Sequence, residues 1–128
     1  MRAKILNASA GSGKTYQLAY KYVRDAVEQP SIYRHILAVT FTNKATEEMK
    51  SRILKEIHLL ASGGESSYLE NLCRELDMDA ATVRRRAAEV RSKILHDYSR
   101  FTVLTIDTFF QRILRAFIKE LGIDLNYN

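Results

Sequence analysis

The chain has 128 residues, enough for one domain with a modest core, and a formal net charge of +5 from 20 Lys+Arg against 15 Asp+Glu. That basic excess is compatible with a polyanionic partner without requiring one, and the single cysteine, Cys73, excludes an internal disulfide and suits a reducing cytoplasm. Arg2 and Lys4 precede only two strongly apolar residues, so the N-terminus does not read as a signal peptide, and no apolar run approaches a membrane span.

The first strand is expected over about Ala3–Asn7, and a helix over about Gly13–Glu28. Between them stands Ala8-Ser9-Ala10-Gly11-Ser12-Gly13-Lys14-Thr15, a relaxed form of the phosphate-binding loop with Ala8 at its first position. Gly11 and Gly13 let the backbone wrap closely around phosphate oxygens, with the N–H groups of Ala10–Lys14 turned inward at the positive end of the helix. Lys14 is placed to reach the β- and γ-phosphates and the Thr15 hydroxyl to ligate Mg²⁺. Tyr16 reads equally well as an amphipathic helix residue or as a base-stacking ring.

Pro30, the one proline, breaks the helix. Ile36–Phe41 reads as a buried parallel strand, followed by a helix over about Asn43–Leu60 with Asn43 as its expected N-cap. Phe41-Thr42-Asn43-Lys44 offers a ring, a hydroxyl, an amide and an ammonium at that helix start, a set that can hold single-stranded nucleic acid. On these residues alone a capped helix with a core phenylalanine is the better reading.

About 61–100 departs from strand–helix alternation and reads as a helical insertion: a Ser-Gly-Gly loop, a short helix over 67–75 and a longer one over 79–98. Val83, Ala87, Val90 and Ile94 face inward on the longer helix; Arg84, Arg85, Arg86, Arg91 and Lys93 read as a solvated face before a phosphate-tracking one. The third strand, Thr102–Ile106, leads to a helix from Asp107 to Leu121, stopped by Gly122. Phe110, Ile113, Leu114, Phe117 and Leu121 form its apolar stripe, and Arg112, Arg115 and Lys119 share another face. Asp107 reads as the N-cap of this helix before a metal ligand, since no second acid follows it. The expected fold class is therefore α/β, a P-loop NTPase with a parallel sheet flanked by helices and a helical insertion, present as a partial domain. Its three loops would gather at the carboxyl ends of the strands.

Three blocks resemble the N-terminal motor domain of UvrD/RecB-like superfamily 1 DNA helicases. Ala8–Thr15 is similar to motif I, Ile36–Met49 to motif Ia, and Thr105–Phe109 with Gln111-Arg112-Ile113-Leu114 to motif Ib. The Ala-Ser-Ala-Gly-Ser-Gly-Lys-Thr form and its early position look most like the RecB/AddA helicase–nuclease branch. The resemblance implies an ATP- and Mg²⁺-dependent, cytoplasmic motor that translocates on single-stranded DNA and unwinds duplexes in repair or recombination, with exonuclease activity or other helicase–nuclease subunits attached to some relatives.

It also implies nucleotide contacts from Ala10 through Tyr16, metal binding at Thr15, and single-strand contacts at Thr40, Phe41, Thr42, Asn43 and Thr105. Tyr16 would pack near the adenine. Asp107 departs from the histidine common in UvrD-like relatives, and its charge argues against a phosphate contact there. The Asp-Glu pair that binds Mg²⁺ and activates water in the family is absent from the sequence, as is the adenine-reading glutamine motif. The chain is thus expected to be an N-terminal piece of a larger enzyme, with residues 1–128 forming part of the ATP-binding domain and no catalytic residue of their own. Two alternatives are a non-catalytic ATP or single-strand binding module and a small P-loop kinase in which Arg84-Arg85-Arg86 imitates a lid.

Overall fold

Short apolar runs at the strands and 3.6-residue periodicity between them produce three strand-then-helix units. The computed structural model describes residues 4–8 and 12–122. In order these form β1 (Lys4–Ala8), α1 (Ser12–Glu28), a 3-10 turn (Pro30–His35), β2 (Ile36–Thr40) and α2 (Asn43–Ser62). Then follow α3 (Leu69–Leu76), α4 (Ala80–His96), a second 3-10 turn (Tyr98–Arg100), β3 (Thr102–Thr105) and α5 (Ile106–Glu120).

All strand pairs are parallel, in the order β1-β2-β3. Ala8 pairs with Thr40 and Thr40 with Thr105, so the last residues of the three strands lie in one row. Each strand therefore delivers its chain to the same edge of the sheet.

One face of the sheet carries the core. Ile36, Ala38 and Val103 meet Ala19, Tyr22, Val23, Ala26 and Val27 of α1 and Met49, Ile53, Ile57 and Leu60 of α2. The segment expected as an insertion is built into this core. Val83, Ala87, Val90 and Ile94 of α4 are buried with it, and α4 packs more extensively on α2 than any other two elements pack on each other. Truncating the fully buried Ile94 to alanine costs about 2–5 kcal/mol, so α4 is a structural member of the layer.

Several boundaries differ from the sequence expectation for local chemical reasons. α2 is capped by Thr42, whose hydroxyl accepts the Ala45 N–H at 3.0 Å, and Asn43 is its first helical residue. α5 is capped by Thr105, which accepts the Thr108 N–H at 3.2 Å, so Asp107 sits inside the first turn rather than at the cap. In both cases a threonine, two residues past β2 or at the end of β3, reaches the third residue onward, the geometry a cap requires. α4 stops at His96, two residues early, because Asp97 leaves the helical region and the chain turns through Tyr98–Arg100 to seat Phe101 edge-on against Tyr22. Asp79 caps α4 by accepting the Thr82 N–H at 2.8 Å; the Thr82 hydroxyl first and this N–H second hold its carboxyl below the usual range.

The apolar stripe read on α5 faces outward. Phe110, Ile113, Leu114, Phe117 and Leu121 are all exposed. α5 rests on the opposite face of the sheet, where Phe109 and Arg112 border a small space with Leu37, Thr102 and Leu104. Its main packing is on β3 and β2, and its outer half has no cover among the described residues.

Candidate nucleotide site and the strand-end loops

β1 ends at Ala8 and α1 begins at Ser12, so a parallel strand runs almost directly into a helix N-terminus. The first-turn N–H groups of a helix lack internal partners and carry the positive end of its dipole, which suits anions. Ser12, Gly13 and Lys14 lie in that first turn by backbone position. Ala10 and Gly11, and the side chains of Ser12 and Lys14, lie outside the described residues.

Thr15 is buried and lines a cavity of about 500 Å³ with Tyr16, Glu47, Glu48, Ser51, Arg52 and Lys55. The cavity lies between the start of α1 and the first three turns of α2. Its wall mixes two aliphatic hydroxyls, two carboxylates, two cations and one phenol ring. Among the described residues, no group of three or more His, Cys, Asp or Glu side chains converges as a metal site. The Thr15 hydroxyl is one oxygen donor that fits a hard cation held mainly by phosphates.

Tyr16 is 37% exposed. Its hydroxyl donates to Ser67 Oγ at 2.8 Å, and its ring meets Tyr68 edge-on with centroids 5.0 Å apart. The Arg52 guanidinium sits 5.3 Å from its centroid. Burial pushes the Tyr68 phenol above its ordinary pKa, so it stays protonated and donates to the Tyr16 carbonyl at 2.8 Å. Sequence reasoning singled out Tyr16 but none of these partners. The one local clue is Tyr20, four residues on and on the same helix face, which also packs edge-on against Tyr68.

The second and third loops leave the sheet beside the first. Adjacent strands lie about 4.8 Å apart, so the three loop starts fall within about 10 Å. Phe41 is 52% exposed at this edge, not in the core, and Thr42, Asn43 and Lys44 are exposed with it. Thr40 differs, being 1% exposed. Its hydroxyl lies 2.5 Å from Thr46 Oγ1 and donates toward the Thr42 and Leu104 carbonyls at 3.2 and 3.4 Å. Expected as a strand contact, the Thr40 side chain instead ties β2, α2 and β3 together. The Thr105 hydroxyl is half-exposed and spans to Thr108.

Among the basic residues of α4, Arg85 and Lys93 are exposed as a solvated face requires, whereas Arg84 and Arg86 follow neither sequence expectation. Arg84 donates to the carbonyls of Leu59, Leu60 and Gly64 at 3.1–3.3 Å, closing the C-terminal end of α2. Arg86 donates to the Glu28 carbonyl at the end of α1. A guanidinium satisfies free helix carbonyls well, having five N–H donors. Both are thus structural caps, which removes two of the three arginines from a kinase-like lid and from a phosphate-tracking face. Arg112, Arg115 and Lys119 on α5 are exposed.

The UvrD/REP helicase N-terminal domain family matches residues 2–128. The chain belongs to that family. It is 30% identical to RecBCD enzyme subunit RecB of Escherichia coli over 127 residues, covering 93% of this chain and 11% of the relative. It is also 30% identical to an ATP-dependent helicase/nuclease subunit from Lactobacillus delbrueckii, covering 97% of this chain and 9% of the relative. A probable DNA helicase II homolog of Mycoplasma capricolum is 30% identical over 94% of this chain and 15% of its own length. The chain thus spans about a tenth of the RecB and helicase/nuclease relatives. No solved structure gives a significant match. The span matched by the family contains all three strand-end loops. No helix among the described residues is long and apolar enough to cross a membrane.

Proposed function

We propose that the chain is part of the ATP-binding domain, of P-loop NTPase type, of an ATP-dependent DNA helicase of the RecB/UvrD kind, acting on DNA in repair or recombination. In the whole protein ATP turnover would drive movement along a single strand, with RecBCD-like partner subunits or a nuclease as further members. The observation that carries this reading is the row Ala8–Thr40–Thr105. It puts the phosphate-loop sequence next to an exposed Phe41 and two threonine-capped helix starts.

At the first loop, backbone N–H groups from Ala10 to Lys14 bind phosphate oxygens, Lys14 adds a point charge, and Thr15 supplies one oxygen to Mg²⁺. When bound, Mg²⁺ neutralises charge on the phosphates. Tyr16 contributes a ring on the base side. At the second and third loops, Phe41 stacks on a base while Thr42, Asn43 and Lys44 approach phosphates, and Thr105 extends the track. Thr40 holds the loop in shape from beneath. The sequence contains no Asp-Glu dipeptide, so the chain by itself binds ATP without turning it over at a helicase-like rate.

Fluorescence anisotropy with a labelled oligothymidylate tests the nucleic-acid half. Phe41→Ala weakens binding about tenfold, within the range set by one lost base–aromatic stack. Equal affinity in the two proteins removes Phe41 from the interface and the carrying observation with it.

A further inference from the structure

The contacts around Tyr16 form a closed set drawn from segments remote in sequence. Arg52 lies over its ring and also approaches buried Glu56 at 3.7 Å. Glu56 accepts the Ser66 hydroxyl at 2.7 Å, and Ser66 Oγ accepts the Tyr68 N–H at 3.1 Å. Tyr68 and Ser67 then return to Tyr16 through the phenol–carbonyl bond, the ring contact and the hydroxyl bond. An exposed tyrosine on a helix start ordinarily samples several rotamers. Here the hydroxyl is bonded and the ring is held by both Tyr68 and Arg52, so the ring is ordered before any ligand arrives. Such preorganisation removes an ordering cost from binding. The ring borders the same cavity as Thr15, the hydroxyl assigned to the phosphate end. A flat, fixed ring at that distance is suited to the group a phosphate chain carries, the base.

We propose that Arg52, Ser67 and Tyr68 are positioning residues that fix Tyr16 as the base-facing wall of the nucleotide cavity. The segment joining α2 to α3 thereby sets how much the base adds to binding. This rests on the nucleotide reading above and adds to it a device for separating base from phosphate recognition.

Isothermal titration of the chain with ATP and with inorganic tripolyphosphate, each with Mg²⁺, separates the two. Ser67→Ala and Arg52→Gln each raise the Kd for ATP about threefold, and the pair about tenfold, from loss of one hydrogen bond and one cation–π contact. In Ser67→Ala, which removes no charge from the cavity wall and therefore decides between the ligands, the Kd for tripolyphosphate stays the same, and Ser67→Thr, which keeps the hydroxyl, restores ATP affinity. Ser67 is exposed, so its variant folds even if Arg52→Gln disturbs Glu56. Parallel weakening of both ligands would overturn the proposal in favour of a general structural role. An unchanged ATP affinity in the pair, or a wild-type chain that binds ATP no tighter than tripolyphosphate, would overturn it while leaving the nucleotide reading intact. A wild-type chain that binds neither ligand defeats both.

Discussion

Replacing Thr40 by valine exchanges one hydroxyl for a methyl of similar size, so the packing beneath the β2–α2 turn stays filled. What is lost is the contact to Thr46 Oγ1 at 2.5 Å and the weaker donations to the Thr42 and Leu104 carbonyls. No donor is stranded, because the Thr46 hydroxyl still reaches the Thr42 carbonyl at 3.1 Å. The cost is therefore that of one good buried hydrogen bond plus a fraction, about 1–2 kcal/mol. For a domain of this size that lowers Tm by about 4–8 °C. Circular dichroism melting measures the stability loss, and oligonucleotide anisotropy measures the consequence at the loop. The expected outcome is the lower Tm with a small, about two- to threefold, loss of oligonucleotide affinity, since Phe41 is held less firmly. Thr40→Ser keeps the hydroxyl and recovers the affinity. A Thr40→Val protein that melts like wild type yet loses oligonucleotide binding tenfold would refute the reasoning and restore Thr40 as a direct contact.

Arg84→Met removes a guanidinium that serves three carbonyls at the end of α2. Because that residue is partly exposed, the expected loss is about 1–2 kcal/mol, read as a lower urea midpoint with an unchanged slope. Exchanging Phe110 and Phe117 together for serine leaves the melting temperature within about 2 °C, because both rings are exposed; a large drop in the melt would mean that the outer face of α5 is covered in solution. Spectrophotometric titration of the phenols follows from burial of Tyr20, Tyr22, Tyr33 and Tyr68, which pushes each above its ordinary value near 10. Their folded values exceed the unfolded ones, so the stability they contribute is complete below pH 10 and disappears as pH rises through the folded values. At least four of the seven tyrosines should ionise only as the chain unfolds in alkali. Seven phenols titrating together near pH 10 in the folded protein would contradict the burial.

Short apolar runs and 3.6-residue periodicity located the three strands and five α-helices of the described residues, because both are local properties of the chain. Periodicity placed the core residues of α4 for the same reason. On α5 it identified an apolar stripe but not that the stripe is exposed, because periodicity defines a face and not what covers it. The caps slipped because threonine competes with asparagine at Thr42–Asn43 and with aspartate at Thr105–Asp107, and the choice turns on the preceding strand end. Pro30 marked a break, while the 3-10 turn it begins depends on Tyr33 burying its ring beneath the end of α4. At the site, the phosphate loop was legible as a pattern of residue types. The holders of Tyr16 were not, since its Ser67 partner lies 51 residues away and follows no motif. Arg84 and Arg86 illustrate the same gap, because a run of arginines says nothing about the carbonyls within reach.

The central claim is that the first loop binds a nucleotide through its phosphates. Equilibrium titration of the chain with ATP and Mg²⁺, beside Lys14→Ala, tests it most directly. The account predicts saturable one-to-one binding that falls at least tenfold in the variant while its melting temperature is unchanged. Equal binding by the two proteins, or none by the wild type, would contradict it.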